Sequence, residues 1–318
     1  MISKALYKTG ANYTLALSAT PDRPDGLKKV MDWYLGPTIY REHRQPNKQV
    51  LTKIFKYTST DKLFVEKTIY NAGRVKAHAP KMINNQGGQL RIFMPRYGNI
   101  NERRHQLHEV IRLSGMNLVV NDLDMPLIIK VASIPKERIQ VYFIDNDEYF
   151  KRKATFTDEE GELFPDNDER AIFFAKGVVE TVKKLNWVPD IIHVHGWMAA
   201  MLPIYMKHFY KNEALFSETK IVTSVYGQSF DGTLDIEMMN KVLFDGIPNE
   251  AVLDLKTPDY ESVIKTTIQH SDAVIIASEN VSSSLTKFIE SSGKPFLSFV
   301  PKEKFAEAYT NFYKNTVL

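Results

Sequence analysis

His193 and His195 stand two residues apart in Pro189-Asp190-Ile191-Ile192-His193-Val194-His195-Gly196-Trp197-Met198. Two residues is the repeat of a β-strand, so both imidazoles leave the same face, close to where the strand ends. A neutral imidazole donates one hydrogen bond and accepts another, which suits it to hold a hydroxyl while charge develops on a neighbouring carbon. The same geometry suits a plain hydrogen-bonded histidine at a strand end, and the residues alone leave both readings open. A metal site is a poor match, because no third histidine or carboxylate lies nearby in sequence. Met94-Pro95-Arg96-Tyr97-Gly98 follows an apolar run and reads as a loop after a strand, where binding residues gather. Ligand contact and loop geometry explain it equally well. Asp166-Asn167-Asp168-Glu169-Arg170 opens a helical pattern, where acidic residues cap the helix and meet its dipole. The carboxylates of Asp145-Asn146-Asp147-Glu148 are read as fixing a strand-to-loop turn through nearby backbone.

The elements that must position these groups are legible in the apolar spacing. Ile191, Ile192 and Val194 form a short continuous run, the mark of a strand covered on both faces. Comparable runs predict strands at residues 90–94, 127–132, 139–144, 190–195, 220–225, 272–277 and 295–300. Ala171, Phe174, Ala175, Val178, Val182 and Leu185 recur at three- and four-residue spacing and predict a helix, with Asp168 as its cap and Pro189 beyond its end. Phe305, Ala308, Tyr309 and Phe312 share one helical face near the end of the chain. Strands alternating with helices predict an α/β fold with a doubly wound, mostly parallel sheet, and such sheets bind ligands outside the carboxyl ends of their strands.

With 318 residues, 43% hydrophobic and 25% charged, the chain can bury a sizeable core. It has no cysteine, which excludes disulfides and thiolate metal sites and suits a reducing cytoplasm, the expected location. The opening residues lack the apolar core of a signal peptide, and no run reaches the roughly 18 apolar residues of a membrane span. The net charge of +3 is uneven: residues 1–66 hold 11 Lys/Arg against 6 Asp/Glu, and the remainder is net −2. That shift, with the turn-like Thr58-Ser59-Thr60-Asp61, places an expected boundary between a segment 1–60 and a domain 61–318.

Taken together, the Arg96, Asp166 and His193 motifs resemble, in the right order, the N-terminal domain of bacterial glycogen (starch) synthases over roughly residues 68 to 318. These are retaining glycosyltransferases that extend α-1,4-glucan from ADP-glucose. The resemblance implies a Rossmann-like half of a two-domain GT-B transferase, with no metal or cofactor beyond the ADP-glucose donor and an α-glucan acceptor as partner. It implies His195 as the catalytic residue, and Arg96, Tyr97, Gly98, His193, Trp197 and Lys67 as substrate-binding residues. Family members carry Lys-Thr-Gly-Gly after their first strand; here that place falls on Lys67-Thr68-Ile69-Tyr70, which keeps the lysine and loses the glycines. A later His-Asn pair is Tyr226-Gly227, and the aspartate that usually follows the cleft histidine is Gly196.

Tyr13 to Gly36, with Ser18-Ala19-Thr20, resembles the Ser-Ala-Thr region of superfamily-two helicases, yet no Gly-x-x-x-x-Gly-Lys phosphate loop occurs in the chain. The segment is read as a small α/β appendage, and nucleic acid is not an expected partner. Three functions follow. The first is a glucosyltransferase domain that needs a separate donor-binding domain. The second is a catalytically silent glucan- or partner-binding domain. The third is a nucleic-acid-associated fragment carried by the basic N-terminal segment.

Overall fold

The computed structural model describes residues 89–134 and 139–318. Lys67 and the segment 67–70, the helicase-like residues 1–66 and the expected boundary at residues 60 and 61 lie outside them. Strands β1 (Arg91–Pro95), β2 (His108–Glu109), β3 (Met116–Val120), β4 (Leu123–Ile134) and β5 (Ile139–Asp145) form a first sheet, and β6 (Ile191–His195), β7 (Lys220–Val225), β8 (Ala273–Ile276) and β9 (Phe296–Leu297) form a second. The second sheet is parallel throughout, in the order β6-β7-β8-β9. The first is mixed. β1 lies parallel to β5, whereas β5, β2 and β3 all pair antiparallel with β4.

The α/β reading holds, and the strand runs at 139–144, 190–195 and 220–225 land on β5, β6 and β7. Two differences have local causes. The β3–β4 hairpin was hidden because its turn, Asn121-Asp122, carries left-handed φ values of 49° and 61° at both central positions, the pattern of a two-residue hairpin turn. Its antiparallel strands alternate in burial instead of running apolar. The run at 295–300 shortens to Phe296–Leu297, which among the described residues pairs only with β8.

Helix α1 (Asn167–Leu185) ends in a left-handed Asn186, whose amide closes the last turn on Val182 and Lys183. It is buried nearly all round, because it packs against β1, β3 and β5 as well as the segment after β6. Gly177 permits this approach: a Cβ there would stand 2.7 Å from the Ile144 side chain. Most of its buried polar groups are engaged, as interior polar groups usually are, although Arg170 Nε has no hydrogen-bond partner among the described residues. Arg170 donates to Asn167 Oδ1 at 2.5 Å and to the Thr155 carbonyl at 2.9 Å, while its guanidinium lies over Phe150 and Phe164. Lys176 reaches Asp245 and the Val119 carbonyl, each at 2.7 Å.

The predicted cap is corrected. Asp166 occupies the N-cap position, and even it makes no side-chain cap bond, because Arg152 holds its carboxylate. Asp168 is drawn inside by the ammonium of Lys241, 2.8 Å away, which also meets Glu169 and Asp235. The later helices are α2 (Met238–Phe244), α3 (Tyr260–Gln269), α4 (Ser283–Ser291) and α5 (Phe305–Phe312). Helix α5 covers the face of the second sheet that carries Val222, Ala273 and Ile275. Val194, Ile221, Val225 and Val274, pointing the other way, join the larger core around α1.

Candidate functional site

The alternation along β6 puts His193 and His195 on the α5 side of the second sheet, with ring centroids 4.0 Å apart. His193 is engaged at both nitrogens: Nε2 lies 2.8 Å from Ser224 Oγ and Nδ1 lies 2.7 Å from the Tyr313 hydroxyl. His195 stands at the carboxyl end of the strand, is exposed, and has Nδ1 2.7 Å from the Tyr226 hydroxyl. Its Nε2 has no hydrogen-bond partner among the described residues. Gly196 follows with a φ of 74° and open space beside it, which lets the chain leave the strand sharply.

Burial, helped by repulsion from His195, holds the pKa of His193 well below the usual histidine value. Surrounding protein lowers that of His195 to about 4, although part of the residue meets solvent. The direction is what the chemistry uses: both rings are neutral at pH 7. A ring whose pKa is depressed by folding adds stability above the unfolded value near 6.5, and that stability is lost as pH falls towards the folded value. We therefore expect the histidine ring-proton shifts of both residues to stay flat from pH 8 to pH 5.5. A transition with a midpoint near 6.5 at either ring would contradict this.

Tyr226 links His195 to a cavity of about 310 Å³ beyond the ends of β7 and β8. Phe230, Tyr260, Asp259, Glu261 and Asn280 also line it, a mixture of aromatic faces, carboxylates and an amide. Aromatic faces with a few placed polar groups are common to small-molecule sites. Burial raises the Tyr226 hydroxyl to about 12, so it stays protonated and able to donate.

Trp197 is buried, its ring 4.7 Å from Phe156 and 5.1 Å from Phe230. Tyr97 meets Phe156 from the other side at 5.6 Å, so an aromatic bridge joins the loop after β1 to the end of β6. The polar groups of that loop are turned to structure. Arg96 is 8% exposed and its Nε lies 2.9 Å from Asp145, with Asp147 and Glu102 within 3.5 Å. A Cβ on Gly98 would stand 2.0 Å from the Lys151 carbonyl, so the glycine is required by packing. Of the two readings left open for this loop, the geometry favours the structural one. The Asp145–Glu148 turn is fixed by an amide and not, as expected, by the carboxylates: Asn146 Oδ1 accepts from the amides of Glu148 and Tyr149, capping the helical turn Asp147–Phe150, while Asp145 and Asp147 are drawn to Arg96.

Of the sequence-predicted site residues, the structure thus brings His193, His195 and Trp197 together at the end of β6, joins Arg96, Tyr97 and Gly98 to them only through aromatic packing, and leaves Lys67 outside the described residues. Ser224, Tyr226 and Tyr313 were missed. Ser224 is the register partner of His195 on β7, so recognising that strand pairing was the available signal; nothing local marked Tyr313, which lies 120 residues from His193.

A polar cluster at the carboxyl ends of parallel strands stands where open α/β sheets bind their ligands. Residues 72–293 match the family described as the starch synthase catalytic domain, and the chain belongs to that family. It is 37% identical over 204 residues to a glycogen synthase of Chlorobium limicola, covering 64% of this chain and 41% of the relative. It is 34% identical over 221 residues to that of Chlorobaculum parvum, covering 68% and 44%. The chain thus spans well under half the length of these relatives. Among solved structures it is similar to the catalytic domain of starch synthase IV from Arabidopsis thaliana bound to ADP and acarbose, with a TM-score of 0.57, 17% identity and coverage of 70% of this chain and 46% of that one. This likeness establishes the GT-B-type α/β fold. The helicase-like reading of residues 13–36 finds no support in the family match, which begins at residue 72.

Proposed function

We propose that this chain carries the acceptor-side half of an ADP-glucose-dependent glucosyltransferase that extends α-1,4-glucan, with transfer also requiring a donor-binding domain. The observation that carries the reading is His195, neutral and solvent-facing at the carboxyl end of β6, with Tyr226 joining it to an aromatic and carboxylate-lined cavity. A neutral imidazole there holds a sugar hydroxyl without adding a positive charge next to a centre that becomes oxocarbenium-like in transfer. The aromatic walls offer faces for sugar rings, and Glu261 and Asn280 offer hydroxyl partners.

A second reading, a silent glucan-binding domain, is favoured by Tyr226-Gly227 and Gly196 standing where the family motif has His-Asn and Asp. Half of a cleft gives up the orientation and electrostatic stabilisation on which transfer depends. Both readings predict α-glucan binding; they part on turnover. Incorporation of radiolabelled glucose from ADP-glucose into maltoheptaose is expected to be negligible with the purified chain alone. Rapid, donor-dependent extension by the chain alone would overturn the requirement for a separate donor domain.

A further inference from the structure

The tripeptide Phe-Asp-Gly occurs twice among the described residues, at Phe230-Asp231-Gly232 and at Phe244-Asp245-Gly246. An Asp-Gly pair carries a slow reaction of its own. The glycine amide nitrogen can attack the aspartate side-chain carbon, because glycine has no side chain to shield it. The two copies share residue types and backbone: Gly232 has a φ of 80° and Gly246 one of 77°, each with open space where a Cβ would stand. Only the surroundings differ.

At the second copy both reacting groups are held. The Lys176 ammonium lies 2.7 Å from the Asp245 carboxylate, the Tyr205 hydroxyl donates to the same carboxylate, and the side chain is only 8% exposed. The Gly246 amide donates to the Leu243 carbonyl at 2.9 Å. Attack there would break these bonds and leave the buried Lys176 charge without its carboxylate. At the first copy neither group is held. Asp231 and Gly232 are both exposed, and neither the carboxylate nor the amide has a hydrogen-bond or ion-pair partner among the described residues. The chain on either side is anchored. The Phe230 ring packs against Trp197 and Tyr260, Thr233 bridges to Asp259, and the Leu234 amide donates to the Pro258 carbonyl. Asp231-Gly232 is thus a short free tip between fixed neighbours, and Phe230 and Gly232 line the cavity beside Tyr226.

We propose that Asp231-Gly232 is a site of spontaneous backbone isomerisation in the wall of this cavity, and that the fold protects the same tripeptide at Asp245-Gly246. The Gly232 nitrogen bonds to Asp231 Cγ; its proton and the carboxyl hydroxyl leave together as water, and a five-membered succinimide results. Water then adds to either ring carbonyl. Addition at Cγ breaks the new carbon–nitrogen bond and restores aspartate. Addition at the Asp231 main-chain carbonyl breaks the original peptide bond, so the chain runs through the side chain as isoaspartate with a free main-chain carboxylate. Water is the only co-reactant, released once and consumed once. The product carries one more backbone carbon between Phe230 and Thr233, which displaces the Phe230 ring from the cavity wall. The consequence for glucan rests on the function proposed above; the isomerisation does not.

The test is to age the folded full chain at pH 7 in heavy-oxygen water, then cleave it and weigh its peptides. Each passage through the succinimide exchanges one carboxyl oxygen with solvent, so a gain of one heavy oxygen marks the site even where aspartate re-forms. The Asp231 peptide is expected to gain it and to split into aspartate and isoaspartate forms, while the Asp245 peptide stays unlabelled. In urea, with the fold removed, both peptides are expected to label. Asp231→Glu, which keeps the charge but would have to close a six-membered ring, is expected to lose the label at that position. An Asp231 peptide that stays unlabelled in the folded chain while the unfolded chain labels, or equal labelling of Asp245 in the folded chain, would overturn the proposal. Maltoheptaose affinity of the aged samples separates the two claims. It is expected to fall as isoaspartate accumulates and to hold steady in Asp231→Glu; labelling with unchanged affinity keeps the modification site and removes this wall from the glucan site.

Discussion

Lys241→Met is expected to destabilise the chain by about 3–5 kcal/mol at pH 7.5, the usual cost of leaving buried charge without its partner. The Lys241 ammonium sits 2.8 Å from Asp168 and Asp235 and 2.9 Å from Glu169, and Asp168 has no exposed surface. Burial already raises the pKa of Asp168 to about 6 against the lowering effect of Lys241. Removing the cation raises it further. A carboxylate whose folded pKa exceeds its unfolded value adds stability at low pH and loses it as pH rises through the folded value. The variant is therefore expected to recover part of its deficit between pH 7.5 and pH 5, measured against unmodified protein by urea unfolding. A deficit below about 1 kcal/mol, or one that does not change with pH, would show that the cluster behaves as a solvated surface network.

His195→Ala is expected to weaken maltoheptaose binding at least tenfold, roughly 1.4 kcal/mol, while leaving urea unfolding close to that of the unmodified chain. The ring is exposed and its one described side-chain bond is to Tyr226, so little of the fold depends on it. Alanine removes the exposed imidazole beside Tyr226 and leaves the aromatic wall of the neighbouring cavity in place. His195→Gln, which retains a donor at similar reach, is expected to recover part of the affinity. Unchanged binding in the alanine variant would remove His195 from the site.

The histidine cluster was legible because two short-range rules agreed: an apolar run bounded by Pro189 and Gly196, and a two-residue spacing that aligned the rings. Its chemistry was only half legible. His193 reads from sequence as an equal of His195, and the fold separates them by giving His193 two partners, one from β7 and one from beyond α5. Such partners come from strand order and helix docking, which apolar spacing does not encode. Arg96 shows the opposite effect. A loop arginine after a strand looks like a ligand contact until β5 places Asp145 beneath it and the charge is consumed. Asp168 was misread as a cap because capping is a local rule, whereas Lys241, 73 positions later, decides where its carboxylate points.

The most direct test of the central claim is calorimetric titration of the full chain with maltoheptaose in the absence of ADP-glucose. The account predicts weak, saturable binding that His195→Ala diminishes. A flat titration up to millimolar glucan, in protein shown to be folded by urea unfolding, would contradict the assignment of this cleft to an α-glucan acceptor.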